Sequence, residues 1–259
     1  MKRAVLALVL VAVAGCGQKT ASDQVKDEKM LASALASAST YGQHFTMSET
    51  IKVTGSGVSV PKQAQFQAEG LVKEGDVQMV LQITNAQQPS VFDFLIVDEQ
   101  LYVKADNANR WRTMPADSAN NVYPAIRLQL LREAVLLASS ESGPSVEHVT
   151  GGFAHKYVVK PSGDQLEQLE TVDVNGDAET AFLKSAKGEI DVFISTSGNR
   201  LMRTEVHLTG ADQGGTKQQI DATADFNPDA RARPVLAPTD AVAAPPGQIF
   251  SATEPAAQS

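Results

Sequence analysis

Val77-Gln78-Met79-Val80-Leu81-Gln82-Ile83 is the stretch of sequence that decides the fold. Apolar and polar residues alternate along most of it, and successive side chains of a β-strand point to opposite faces of a sheet. The segment is therefore predicted to be a half-buried strand. Similar runs occupy residues 45–54, 65–73, 91–97 and 100–105, and Asp98-Glu99 is predicted to be a tight turn. Consecutive strands with short connections predict an antiparallel meander, not βαβ units.

The second half of the chain repeats this pattern after a helical interruption. A helix is predicted from Asp117 or Ser118 to about Ser139, and its apolar residues occupy almost its whole circumference. A helix of this kind must be buried on more than one side. Shorter helices are predicted within residues 26–39, 162–172 and 177–186. Further strands are predicted at residues 146–149, 153–160, 188–196, 200–209 and 216–226, with Gly151-Gly152 as the turn of the first hairpin.

The first residues have the organisation of a targeting segment. A basic start, Met1-Lys2-Arg3, precedes an apolar run over residues 4–14, which is too short to cross a bilayer and fits the apolar part of a signal peptide. Val13-Ala14-Gly15-Cys16 resembles a bacterial lipobox, which implies cleavage before Cys16 and acylation of that residue, palmitate included. Residues 1–15 are then a lipoprotein signal peptide and residues 16–27 an acylated tether. An ordinary secretory signal with a coincidental cysteine is the alternative.

Composition excludes several classes of function. The chain of 259 residues has a net charge of −8, and a phosphate-binding surface needs clustered Lys and Arg, so nucleic acid is not an expected partner. A single cysteine excludes an internal disulfide and a cysteine-rich metal site. No nucleophile elbow, zinc-protease motif or phosphate-binding loop is present. The chain is therefore expected to be no enzyme and to use no cofactor and no metal.

Two histidines and the end of the chain complete these expectations. Counting outward from Gly151-Gly152 sets His148 opposite His155, and this pair is interpreted as part of a solvated polar face instead of a metal site.

Residues 231–259 are rich in Pro and Ala and poor in large apolar residues. Such a composition buries too little surface to offset its ordering entropy, so a disordered tail is predicted there. The folded domain is accordingly placed at residues 28–230.

The order of these segments resembles the LppX/LprAFG family of actinobacterial envelope lipoproteins. The resemblance is carried by Phe45-Thr46-Met47 opening a strand, by the run from Val97 to Lys104 ahead of Trp111, and by the hairpin between Ile190 and Arg203. Glu99 departs from it, because the family often has Gly there, and this is expected to change the turn type but not the topology. The resemblance implies an α+β fold like that of the LolA and LolB carriers: a large curved antiparallel sheet, or half-barrel, with helices packed across its concave face.

The same resemblance implies a function. It predicts a lipoprotein at the extracytoplasmic face of the cell membrane, held by its acyl anchor, that binds lipid or acylated glycolipid in a hydrophobic cavity and carries it through the envelope, with an envelope transporter as a further partner. An adaptor or sensor that uses the same fold to bind a protein is the alternative. Trp111 is expected to line a ligand mouth or to serve as a plain core or rim anchor. The residues predicted to line the cavity are Phe92, Phe94, Ile126, Leu130, Leu137, Val192 and Ile194.

Overall fold

A single twelve-stranded curved sheet dominates the structure, a computed structural model. It describes residues 26, 29–34, 42–55, 63–74, 76–84, 89–115, 144–167, 177–198, 200–211, 214–228 and 232–245. The strands are β1 (Gln43–Thr54), β2 (Gln63–Lys73), β3 (Asp76–Thr84), β4 (Pro89–Val97), β5 (Gln100–Ala105), β6 (Arg112–Pro115), β7 (Ser145–Val149), β8 (Gly152–Val159), β9 (Lys187–Ser195), β10 (Leu201–Ala211), β11 (Lys217–Pro228) and β12 (Val242–Ala243).

The strand order is β12-β6-β5-β4-β3-β2-β1-β11-β10-β9-β8-β7. Two antiparallel meanders, β1 to β6 and β7 to β11, meet where β1 pairs with β11. Only the short β12, among the described strands, pairs in parallel, with β6. The predicted antiparallel meander is thus confirmed, while the helix predicted around residues 122–137 lies outside the described residues.

Few helices are described. Residues 29–34 are helical and are called the N-terminal helical segment below. Two more are α1 (Gly163–Glu167) and α2 (Asp177–Ser185). Phe182 of α2 and Leu31 of the N-terminal helical segment both belong to the main apolar cluster of the sheet. No helix of the described residues is long and apolar enough to cross a bilayer.

The turn between β4 and β5 differs from the expectation. Asp98 and Glu99 have φ values of 50° and 61°. Positive φ at both central residues is the requirement of a type I′ turn, whose twist matches that of the strands it joins. Glu99 therefore adopts the backbone conformation that a glycine would provide, and the turn type that an Asp-Gly pair favours is kept.

The hairpin between β7 and β8 also departs from its prediction. Val149 pairs with Gly152, so the two turn residues are Thr150 and Gly151, not Gly151 and Gly152. His148 consequently lies opposite Phe153, and the predicted His148–His155 pair is wrong. The residue opposite His148 is two positions away from the predicted one. Because side chains alternate with a period of two, both histidines still lie on the same side of the hairpin, as diagonal neighbours.

The prediction of a disordered tail is wrong for residues 232–245. The ammonium of Lys73 donates a hydrogen bond of 2.7 Å to the carbonyl of Ala232, and Val235 is 5% exposed. Val242 N–H then donates to the carbonyl of Trp111 at 2.9 Å, and this contact belongs to the β12–β6 pairing. We call residues 232–245 the C-terminal strap. It extends the folded domain beyond the predicted boundary at residue 230.

Candidate functional site

The sheet has one nearly continuous apolar face, which we call the inner face. Each residue of this face lies directly opposite a residue of the neighbouring strand, and these paired residues form rows that cross the sheet. One complete row crosses nine strands, and all its residues are buried. It consists of Ala105, Phe92, Leu81, Ala68, Met47, Ala224, Thr204, Val192 and Tyr157.

Four of the predicted cavity residues lie on this inner face. Phe92 is 7% exposed, and Phe94, Val192 and Ile194 are fully buried. All four belong to the same apolar cluster, although β4 and β9 are separated by five strands in the sheet. Ile126, Leu130 and Leu137 lie outside the described residues. That these residues line a lipid cavity stays a prediction.

Small residues alternate with bulky ones at the centre of the inner face. Ala68 of β2 and Ala224 of β11 flank Met47, while Gly70 lies opposite Phe45. A Cβ at Gly70 would lie 2.1 Å from the carbonyl oxygen of Gln78, so no larger residue fits there. Ala68 and Ala224 therefore leave low positions on either side of Met47, while the bulkier Phe45 and Phe226 stand in the neighbouring row. This relief provides an apolar floor against which long apolar groups can pack.

Polar side chains interrupt the inner face at a few positions. Gln43, Glu49 and Arg112 are between 2% and 5% exposed. Among the described residues, the Oε1 atom of Gln43 and the Nδ1 atom of His155 are buried without a hydrogen-bond partner. A buried acceptor or donor left in this state costs about 1–3 kcal/mol. The inner face thus contains a few polar atoms able to bind a polar group of a ligand.

The opposite, outer face carries ion pairs. The ammonium of Lys156 lies 2.7 Å from Oδ2 of Asp191, whose side chain is 3% exposed. The hydrogen bond to Asp191 raises the pKa of Lys156 above its ordinary value, against the opposing effect of burial. Arg203 donates to both carboxylate oxygens of Asp225, at 2.7 and 3.1 Å, and this hydrogen bonding raises the pKa of Arg203. These pairs join neighbouring strands, so their geometry points to a structural role.

A groove of about 390 Å³ lies on the outer face over the central strands. Its lining includes the carboxylates of Glu69 and Asp225 and the amide of Gln82. Within the described part of the chain, no three His, Cys, Asp or Glu side chains are grouped in a way that would hold a metal ion. The complete lining is Thr46, Met47, Ser48, Gln67, Ala68, Glu69, Val80, Gln82, Thr223 and Asp225.

Sequence reasoning missed an apolar cluster that the end of the chain forms on the outer face. Val235 of the C-terminal strap packs there with Leu95 and Val97 of β4, and Trp111 contacts the same cluster. Trp111 is half-buried, and the ammonium of Lys104 lies 6.0 Å from its ring centroid. Of the two roles predicted for Trp111, the structure favours the rim anchor. No pattern in the sequence pairs a lone Val235 with these strands.

No family model matches the sequence, and no curated protein matches it. Among solved structures, LprF from Mycobacterium bovis is similar, with 12% identity and a TM-score of 0.38 over 76% of this chain and 91% of that one. A conserved protein from Thermus thermophilus has 10% identity and a TM-score of 0.38, over 85% and 99%. A DUF1329 family protein from Desulfovibrio piger has 11% identity and a TM-score of 0.34, over 81% and 95%. Likenesses this weak carry no argument, so the proposals below depend on the chain's own residues.

Proposed function

We propose that this protein is a membrane-anchored lipoprotein that binds the acyl chains of a lipid or glycolipid and carries it through the cell envelope. The observation that supports this proposal most is the buried row across nine strands, apolar except for Thr204, with low positions at Ala68 and Ala224. In the proposal, helices that include residues 122–137 lie across the concave inner face, and the acyl chains lie between them and the sheet.

The energetics of such a site suit a carrier. Moving a methylene from water into an apolar environment is worth about 0.8 kcal/mol. An acyl chain that leaves a bilayer for the inner face exchanges one apolar environment for another, so the net free energy is small and transfer runs in either direction. No bond is made or broken, and the protein acts without catalysis. The polar headgroup stays at the mouth of the cavity, because burying it without partners costs several kcal/mol.

The proposed anchor is the acylated Cys16, on the extracytoplasmic side of the cell membrane. Removal of residues 1–15 takes away Lys2 and Arg3 and leaves 20 basic against 30 acidic residues. Anionic lipids repel a domain of this charge, so attachment depends on the acyl chains. An envelope transporter is the proposed recipient or donor of the lipid. Cys16→Ser is expected to move the protein to the soluble fraction, and fatty-acid labelling that leaves wild-type protein unlabelled would disprove the anchor.

The binding proposal is tested by mass spectrometry of organic extracts from the purified protein. Leu130→Arg is expected to abolish lipid recovery while circular dichroism shows a folded protein. Leu236→Arg is the matched control, because Leu236 is 79% exposed and the chemical change is the same. A folded Leu130→Arg protein that yields as much lipid as wild type would contradict this placement of the cavity. Unfolding of that variant would instead indicate a packed core.

A second candidate function, that of an adaptor or sensor for a protein partner, is favoured by the groove on the outer face. Its lining combines hydroxyl, amide and carboxylate groups with the apolar side chains of Met47, Ala68 and Val80, a mixture that suits a transient protein interface. Organic extracts separate the two functions. An adaptor yields no bound lipid, and its cross-linked partner is lost when Gln82 is replaced by Trp in the groove.

A further inference from the structure

The hairpin of β7 and β8 exposes apolar side chains at one end of the sheet. Val146 is 58% exposed and Phe153 is 61% exposed. Val146 lies opposite His155, and Phe153 lies opposite His148, so the four side chains share one side of the hairpin. The ring of His148 packs edge-on against Phe153 with 5.2 Å between centroids. We call Val146, His148 and Phe153 the hairpin patch.

The hairpin patch is continuous with the inner face. His155 lies opposite Ile194 of β9, which is fully buried in the main apolar cluster. Tyr157, two residues further along β8 on the same side, belongs to the same cluster. The inner face therefore continues along β8 to side chains exposed to solvent, with His155 as the one polar side chain between Tyr157 and Phe153 on that side of the strand. A lipid that moves between the inner face and a bilayer has a short path at this edge, apolar except at His155.

The N-terminal helical segment joins the fold beside the same edge. The hydroxyl of Tyr157 donates a hydrogen bond of 3.0 Å to the sulfur of Met30. β8 is the second strand from this end of the sheet, whereas β12 lies ten strands away from it. At about 4.8 Å between neighbouring strands, the opposite end is roughly 50 Å away along the sheet. The chain that follows Cys16 thus enters the domain on the side of the hairpin patch.

We propose that the hairpin patch is the surface that docks on the lipid bilayer and at which lipid enters and leaves the inner face. This proposal rests on the proposed acyl anchor. Residues 17–29 separate Cys16 from Met30, and an extended chain covers at most about 3.6 Å per residue, so the tether reaches no further than roughly 50 Å. The tether joins the domain where Met30 lies, so this edge of the sheet is the part nearest to the anchor along the chain.

The size and charge of the patch fit a bilayer as the occupant. Two apolar side chains bind a membrane weakly by themselves, but the anchor makes their insertion an intramolecular step at high effective concentration. Docking is then reversible, as a carrier requires. Anionic headgroups do not attract the acidic domain, so the free energy of binding at this edge comes from insertion of its apolar side chains into the bilayer. His148, within the patch itself, supplies a polar edge that can face the headgroups while Val146 and Phe153 face the acyl chains.

The single cysteine of the chain allows a direct test. Because the thiol of Cys16 is consumed by the acyl group in the proposed protein, Phe153→Cys introduces one free thiol for an environment-sensitive fluorophore. The labelled, acylated protein is reconstituted in vesicles of phosphatidylcholine with brominated acyl chains. The expected result is a blue shift and strong quenching of the label at residue 153. Leu236→Cys is the matched control, since Leu236 is 79% exposed and lies in the C-terminal strap, and its label is expected to remain unquenched.

Flotation of the vesicles separates this proposal from the proposed anchor. A protein that floats but shows equal quenching at residues 153 and 236 overturns the docking proposal and leaves the anchor intact. A protein that does not float overturns the anchor, and the docking proposal falls with it. A second variant measures function: Val146→Ser with Phe153→Ser is expected to slow lipid transfer between vesicles severalfold without lowering the amount of lipid bound at equilibrium. An unchanged transfer rate would also overturn the proposal.

Discussion

The rings of Phe45 and Phe226 lie 6.5 Å apart between centroids, tilted by 39°, directly opposite each other on β1 and β11. This pair joins the first strand of one meander to the last strand of the other. Both side chains are buried, and both point to the inner face. The contact therefore stabilises the seam at which the two halves of the sheet meet.

Phe45→Ala is expected to lower the free energy of unfolding by about 3–5 kcal/mol, because it leaves a cavity at this seam. Phe153→Ala is the control, since its side chain is 61% exposed and surface changes usually fall within about 0.5 kcal/mol. Urea denaturation followed by circular dichroism measures both. Equal midpoints for the two variants would mean that the seam does not limit stability.

The strands were predictable because most of them bury only one face. Alternation of polar and apolar residues in β1 and β3 defines both the strand and its inner side. β6 (Arg112–Pro115) and β12 (Val242–Ala243) escaped prediction, since four and two residues are too few to show a period. The hairpin register of β7 and β8 was missed because two adjacent glycines offer two positions for the turn.

The candidate site was predictable only in part. Phe92 and Val192 could be assigned to an apolar face by alternation, and the structure places both in one row. The hairpin patch could not be found in this way, because Phe153 and buried Tyr157 share a side of the same strand and differ only in their distance from the hairpin turn. Packing of Val235 against β4 depends on where the chain turns after β11, which composition does not encode.

The C-terminal strap is expected to contribute to stability. Burial of Val235 is worth about 1.5–3 kcal/mol, and the backbone bonds from Val242 and Ala244 to β6 contribute about 1 kcal/mol each. A chain ending at residue 231 should therefore melt roughly 7–20 °C below full length. A chain ending at residue 245 is expected to match full length, because the strap is kept. Differential scanning calorimetry of the three proteins decides the matter, and equal midpoints for all of them would refute the contribution of the strap.

Glu99→Gly is expected to stabilise the protein. Glu99 has a φ of 61° in the turn between β4 and β5, a conformation that costs a non-glycine residue about 1 kcal/mol. Glycine removes this strain, although its greater freedom in the unfolded chain offsets part of the gain. The expected net increase is a few tenths of a kcal/mol up to about 1 kcal/mol. Gln100→Gly, at the first residue of β5, is the control and should destabilise; a loss of stability in both variants would contradict the turn geometry.

Removing one partner of the ion pair between Lys156 and Asp191 is expected to lower the free energy of unfolding more than removing both. Lys156→Met leaves the carboxylate of Asp191, 3% exposed, without its cation, which costs about 3–5 kcal/mol for a buried pair. Lys156→Met combined with Asp191→Leu removes both charges, so it should recover most of that loss. The ammonium also lies 5.5 Å from the ring of Phe193, and the methionine keeps an apolar contact there.

The pH dependence of this pair follows from the raised pKa of Lys156, which is caused first by its hydrogen bond to Asp191. A lysine whose pKa is higher in the folded than in the unfolded protein stabilises the fold fully below its unfolded pKa of 10.5. That contribution is lost as the pH rises through the folded pKa. The difference in unfolding free energy between wild type and the double variant should therefore be constant from pH 7 to 9 and shift against wild type above about pH 10.5. Urea titrations across this range measure it, and a difference that changes instead between pH 7 and 9 would assign the pH dependence to another group.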